Sequence, residues 1–134
     1  MLPEPGSPED WLRYARSDLV VAQQFRAEGV LLETLCFHAQ QAAEKGIKAV
    51  LVSFGIAFPK IHSIARLVDL LPQSVSKTTE LRAADQLAFY AIELRYPGRQ
   101  ESVSEEEYRE AVRLAEVVVA WAEDTIGAAP ADRA

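Results

Sequence analysis

At 134 residues the chain is long enough to bury one core, and its 49 % hydrophobic and 25 % charged residues are an ordinary globular mixture. A formal charge of −6 and a pI near 4.9 argue against a broad electrostatic grip on nucleic acid, though not against a small basic pocket. One cysteine, Cys36, excludes an intramolecular disulfide. It falls on an apolar helix position, as a small buried hydrophobe would. No apolar run approaches the roughly 20 residues needed to span a bilayer. The opening "MLPEPGSPED" lacks a cationic start and an apolar stretch, so it does not read as a signal peptide, and the expected compartment is the cytoplasm.

Residues 1–9 read as a flexible leader rich in Pro, Gly and Ser. Ser7-Pro8-Glu9-Asp10 then has the form of a helix start, with a capping Ser, Pro at the first position and acids in the first turn. The first helix is expected to run to about Glu28, with Trp11, Tyr14, Ala15, Leu19, Ala22 and Phe25 as its apolar stripe. Gly29 breaks it. A second helix follows over about Glu33–Phe54, with Cys36, Ala43, Ile47, Val50, Leu51 and Phe54 on one arc of its wheel. His38, Gln41, Lys45 and Lys48 fall on the other side, Gln40 within the apolar arc and Glu44 at its edge.

Gly55 stops this helix, and "IAFPKIHS" is a loop. A short helix over about Ser63–Leu71 turns Ile64, Leu67, Val68 and Leu71 inward before Pro72. The next helix runs over about Thr79–Arg95, with Leu81, Ala84, Leu87, Ala88, Ala91 and Leu94 on its stripe, and Tyr96-Pro97-Gly98 ends it. Ser104 caps the last, which continues to about Ile126 through Tyr108, Val112, Ala115, Val118, Val119 and Ala122. Residues 127–134 read as a disordered tail. No segment alternates with period two, so the expected fold is all-α. It is an antiparallel up-and-down bundle of four long helices and one short one over residues 10–126.

Metal chemistry finds little support. A di-iron bundle needs Glu-x-x-His pairs, of which the chain has none, and a zinc site needs more ligands than one Cys and two His supply. No cofactor motif or glycine-rich phosphate loop is present. Cys36 and His38 point about 200° apart on one helix, which rules out a nucleophile–base pair between them. His62 stands where a capping or solvent-facing histidine would. Arg95 at a helix C-terminus suits either the helix dipole or an anion site. Trp11 and Trp121 read as core or interface anchors.

"WLRYARSDLVVAQQF" (Trp11–Phe25), "CFHAQQAAEKGIKAVL" (Cys36–Leu51), "HSIARLVDLL" (His62–Leu71) and "LRYP" (Leu94–Pro97), in that order and spacing, resemble the small prokaryotic branch of the HEPN family. The resemblance covers roughly Asp10–Asp124. It implies an all-α bundle that forms a homodimer through its later helices. It also implies a separate nucleotidyltransferase chain as partner, as in toxin–antitoxin modules, with a nucleotide or RNA as ligand. Other members of the wider family are metal-independent RNases marked by an Arg, a polar residue directly after it, and a His four to six residues downstream.

The sequence departs from that mark. Arg95 matches the Arg, but Tyr96 replaces the polar neighbour, and Gln100, Glu101 and Ser102 stand where the His belongs. Cleavage at the RNA 2′-hydroxyl then lacks its acid–base group. The expectation is therefore a non-catalytic module that binds a nucleotidyltransferase, with no catalytic residue of its own. His38, Gln41, Lys45, Lys48, His62, Arg95, Tyr96 and Arg99 are its candidate ligand or partner contacts. The polar belt on the second helix fits two readings: a wet face with internal glue, or a groove for a phosphate or partner chain. In either, Gln40 and Glu44 are expected to bond to neighbouring helices. The competing expectation is an RNase with a remodelled site, in which Arg95 and Arg99 hold phosphate and His62 or His38 acts as base.

Overall fold

The computed structural model describes residues 6–25, 27–61, 63–92 and 103–128. They form α1 (Pro8–Ala22), α2 (Leu32–Ser53), α3 (Ile64–Asp69), α4 (Thr79–Ala83), a 3₁₀ turn (Ala84–Leu87), α5 (Ala88–Ile92) and α6 (Glu105–Ala128). No described residue lies in a strand. The positions expected at His62, Arg95, Tyr96 and Arg99 lie outside the described residues, as do most of the leader and tail.

Local chemistry sets several helix ends. Ser7 and Asp10 cap α1 reciprocally, side chain to backbone in both directions at 3.1 Å. Ser104 and Glu107 do the same for α6, at 3.1 and 2.9 Å. α2 ends in a left-handed Gly55 (φ +71°), with the Ile56 amide bonded to the Leu51 carbonyl and the Gly55 amide to that of Val52, each at 2.9 Å. Those two bonds satisfy carbonyls that the last turn would leave open.

Contacts across the helices give the direction of each. Going up α1 from Trp11 to Asp18, the partners on α2 descend from Lys48 to His38, so the two are antiparallel. α6 is antiparallel to α1 as well, through Arg16–Glu123 and the Gln23–Glu116 bond at 2.8 Å. α2 and α6 therefore run the same way, and Gly46 of α2 faces Val118 and Ala122 of α6. Along the helical segment 79–92, Glu80 lies in the field of Arg113 while Tyr90 lies in that of Glu107, so this segment opposes α6. The topology is up-and-down.

α2 is the central helix. Leu35, Cys36, Ala39, Ala42, Ala43, Ile47, Ala49, Val50 and Leu51 are all buried, spread almost around its circumference. They meet Leu12 and Ala15 of α1, Leu67 of α3, Leu81 and Leu87, and Leu114 and Val118 of α6 in one hydrophobic cluster.

Three details differ from expectation. α1 stops at Ala22 rather than Glu28, because the Tyr108 hydroxyl takes the Ala22 carbonyl at 2.6 Å. A continued helix would spend that carbonyl on its own amide. The fourth helix is broken by the 3₁₀ turn, whose Ala84 and Leu87, three apart, continue the buried side begun by Leu81 of α4. The turn also aims Asp85 at the first turn of α3, where its carboxylate accepts the Ala65 amide at 2.9 Å. Tyr14, expected on the apolar stripe, is 55 % exposed. Its place on the core side is taken by Leu12.

Candidate functional site

The polar belt of α2 divides into two bonded sets along its seam with α1. In the outer set, Asp18 of α1 is shared by two partners on α2. Its Oδ1 pairs with His38 Nδ1 at 2.9 Å, and its Oδ2 accepts from Lys45 Nζ at 2.7 Å. The Asp18 side chain is largely buried, and that of His38 is 30 % exposed. Because a carboxylate only accepts, the shared proton sits on Nδ1. That leaves Nε2, which has no hydrogen-bond partner among the described residues. The Phe37 ring stands edge-on to the imidazole with centroids 5.5 Å apart.

The inner set is a ladder along α2. Gln41 Nε2 donates to Gln40 Oε1, Gln40 Nε2 to Glu44 Oε1, and Lys48 Nζ to Glu44 Oε2, each at 2.7 Å. Gln40 is fully buried, and Glu44 and Lys48 are nearly so. Buried polar groups persist in a core only when they are bonded. The Lys48 ammonium also lies 5.3 Å from the Phe58 ring and 5.8 Å from that of Trp11, and Trp11 and Phe58 meet edge-on at 6.0 Å. Their π faces attract the charge that Glu44 neutralises. A cleft of about 310 Å³ lies at the start of α1, lined by Gly6, Asp10, Trp11, Arg13 and Tyr14. The Trp11 indole N–H is buried without a hydrogen-bond partner among the described residues.

The expected contact residues thus separate. His38, Gln41 and Lys45 share a partly exposed strip, whereas Lys48 is drawn into the aromatic pocket and does not belong to a solvated face. Gln40 and Glu44 were expected to bond across to other helices. The described bonds link them to Gln41, to each other and to Lys48, all on α2. The i to i+4 spacing brings Gln40, Glu44 and Lys48 together, Gln41 is the chain neighbour of Gln40, and Glu44 has a further interaction besides these. Asp18 is the member that sequence reasoning missed. Its signal was present: with Trp11, Ala15 and Ala22 it shares the inner stripe of α1, where an acid requires a partner.

Cys36 is fully buried, and burial, with the charges of Glu33 and Glu107, pushes its thiol up to about 12. It stays protonated and packs as a hydrophobe. Among the described residues no three or more His, Cys, Asp or Glu side chains gather as metal ligands, and no described helix is long and apolar enough to cross a membrane.

The comparisons agree with this architecture. The backbone is similar to the crystal structure of TT1696 from Thermus thermophilus, with TM-score 0.76 and 33 % identity, covering 88 % of this chain and 97 % of that one. It is similar also to the crystal structure of ST0689, an archaeal HEPN homologue, with TM-score 0.72 and 25 % identity, covering 91 % and 99 %. No curated protein sequence matches the chain. The HEPN domain matches residues 8–125, which takes in every helix of the bundle but the last residues of α6. Through that match and its helical topology, the chain belongs to the HEPN domain family.

Proposed function

We propose that the chain is a non-catalytic HEPN module that pairs with itself and docks a separate nucleotidyltransferase chain, together with a nucleotide that chain carries, in a toxin–antitoxin-like arrangement. The observation that carries this reading is charge pairing inside the seam. Lys45 is matched by Asp18, which also accepts from His38, and Lys48 by Glu44. Beyond the seam, Arg16 is paired with Glu123, Arg109 with Glu105 and Arg113 with Glu110. A seam whose cations are already matched, on a chain of net charge −6, suits a protein partner better than a phosphodiester backbone. Gln41 and Lys45 offer that partner donors, and His38 Nε2 an acceptor, on one strip. Arg95, Tyr96 and Arg99 are its remaining candidates by sequence. Phe89 on α5, 52 % exposed, suits the pairing of two copies through later helices.

The test is co-expression with the product of the adjacent gene. A stable complex on gel filtration, with RNA left intact by the chain alone, is the expected outcome. Recovery of only free chain at micromolar concentration overturns the reading.

One observation favours a second reading, a metal-independent RNase with a remodelled site centred on Arg95. Asp18 fixes the His38 imidazole with Nε2 unbonded among the described residues, the form a general base takes. His62 is the other candidate base. Degradation of a generic RNA pool by the wild-type chain, lost in Arg95→Ala, would establish it, and equal, undetectable activity in both would end it.

A further inference from the structure

The Asp18–His38 pair has a chemical consequence that neither reading uses. Imidazole is a good nucleophile when one nitrogen keeps its proton in a fixed bond and the other presents a lone pair. Here the bond to Asp18 Oδ1 holds the proton on Nδ1, and Phe37 flanks the ring, so tautomer and ring plane are both set. Nε2 is unbonded among the described residues, on a side chain that is 30 % exposed. Lys45 sits on the other oxygen of the same carboxylate, at 2.7 Å, and holds that carboxylate in place against the ring.

We propose that His38 is a phosphoryl acceptor: its Nε2 takes a phosphoryl group from a phosphoramidate-class donor, with Asp18 as the positioning residue. The Nε2 lone pair attacks phosphorus and forms the N–P bond. The donor reacts with its nitrogen protonated, as –NH₃⁺, so when the P–N bond breaks its electron pair leaves with that nitrogen directly as ammonia and no further proton is needed. Nothing is oxidised or reduced. The ring gains positive charge as the bond forms, and the Asp18 carboxylate, still holding the Nδ1 proton, offsets it. A neutral amide at position 18 can present its N–H to Nδ1, which moves the ring proton to Nε2 and removes the nucleophile.

The proposal is independent of the docking reading and is tested on the isolated full-length chain with potassium phosphoramidate. Intact mass is expected to rise by one phosphoryl group, and fragmentation is expected to place it on His38, acid-labile as an N-phosphoryl group is. His38→Gln should take no label. Asp18→Asn should be labelled about tenfold more slowly or worse. Nitrogen NMR should show the ring proton leaving Nδ1 in that variant, and the labelling rate of the folded variant should fall with it, whereas a merely structural carboxylate would leave that rate unchanged. Because the mapping is done on the wild-type chain, misfolding of a variant leaves the test intact. An unlabelled wild-type chain, a label that maps to His62 or elsewhere, or equal rates for wild type and Asp18→Asn would each overturn it.

Discussion

The Tyr108 hydroxyl donates to the Ala22 carbonyl at 2.6 Å, so a residue of α6 determines where α1 ends. The Tyr108 ring stacks on Phe25 with centroids 5.4 Å apart, which turns the chain out of the helix. Burial pushes the Tyr108 hydroxyl up, in keeping with its role as a permanent donor. Tyr108→Phe keeps the stacking but orphans the carbonyl. It should cost about 1–2 kcal/mol in urea denaturation and increase amide exchange around residues 20–25.

Glu44 and Lys48 are a buried pair at 2.7 Å, and removing one partner should hurt more than removing both. Glu44→Ala strands an ammonium between Trp11 and Phe58 and should cost about 3–5 kcal/mol. The double variant Glu44→Leu, Lys48→Met should recover most of that loss. Similar denaturation midpoints for the single and double variants would refute this account.

Much of the fold was legible in the sequence. Ser7, Gly55 and Ser104 mark helix ends by chemistry that is local, and the three- and four-residue spacing of α2 and α6 marks their buried faces. The break at Ala84–Leu87 was not, since Leu81, Ala84 and Leu87 suit one turn of either helix type. The site was legible in part. His38, Gln41 and Lys45 fall together because they share one helix, whereas Asp18 reaches them only once α1 lies antiparallel across α2, which no local pattern encodes. Lys48 was misplaced for the same reason, because Trp11 and Phe58 come from distant segments.

Gly46 lies within α2, where glycine is unfavourable, yet a Cβ there would meet Ala122 and Val118 at 3.6 Å, an ordinary contact distance. Gly46→Ala should therefore stabilise the chain by about 0.5–1 kcal/mol, read as a Tm raised by a few degrees. A lower Tm would mean that α2 and α6 cannot accept even a methyl between them.

Alkaline pH should weaken the fold. In the unfolded chain the Cys36 thiol loses its proton around 9, whereas in the fold it holds it to about 12. Tyr90, raised by burial and by the charges of Cys36, Glu107 and Glu110, moves from 10 to about 12. In that window the unfolded state binds fewer protons, so stability is complete below pH 9 and falls as pH rises toward 12. Each group contributes a slope of about 1.4 kcal/mol per pH unit. Denaturation midpoints of wild type and Cys36→Ala across this range should converge as pH rises, the variant having the shallower slope.

The pairing of α1 with α6 has a consequence for the newborn chain. Glu123, the partner of Arg16, is made 107 positions later, and Tyr108 follows Ala22 by 86. On the ribosome, α1 and α2 can zip into a hairpin early, but one flank of that hairpin stays bare until α6 has been made. The slow step in maturation should then be the docking of α6, and agents that shield oily surface during translation should raise the yield of native protein.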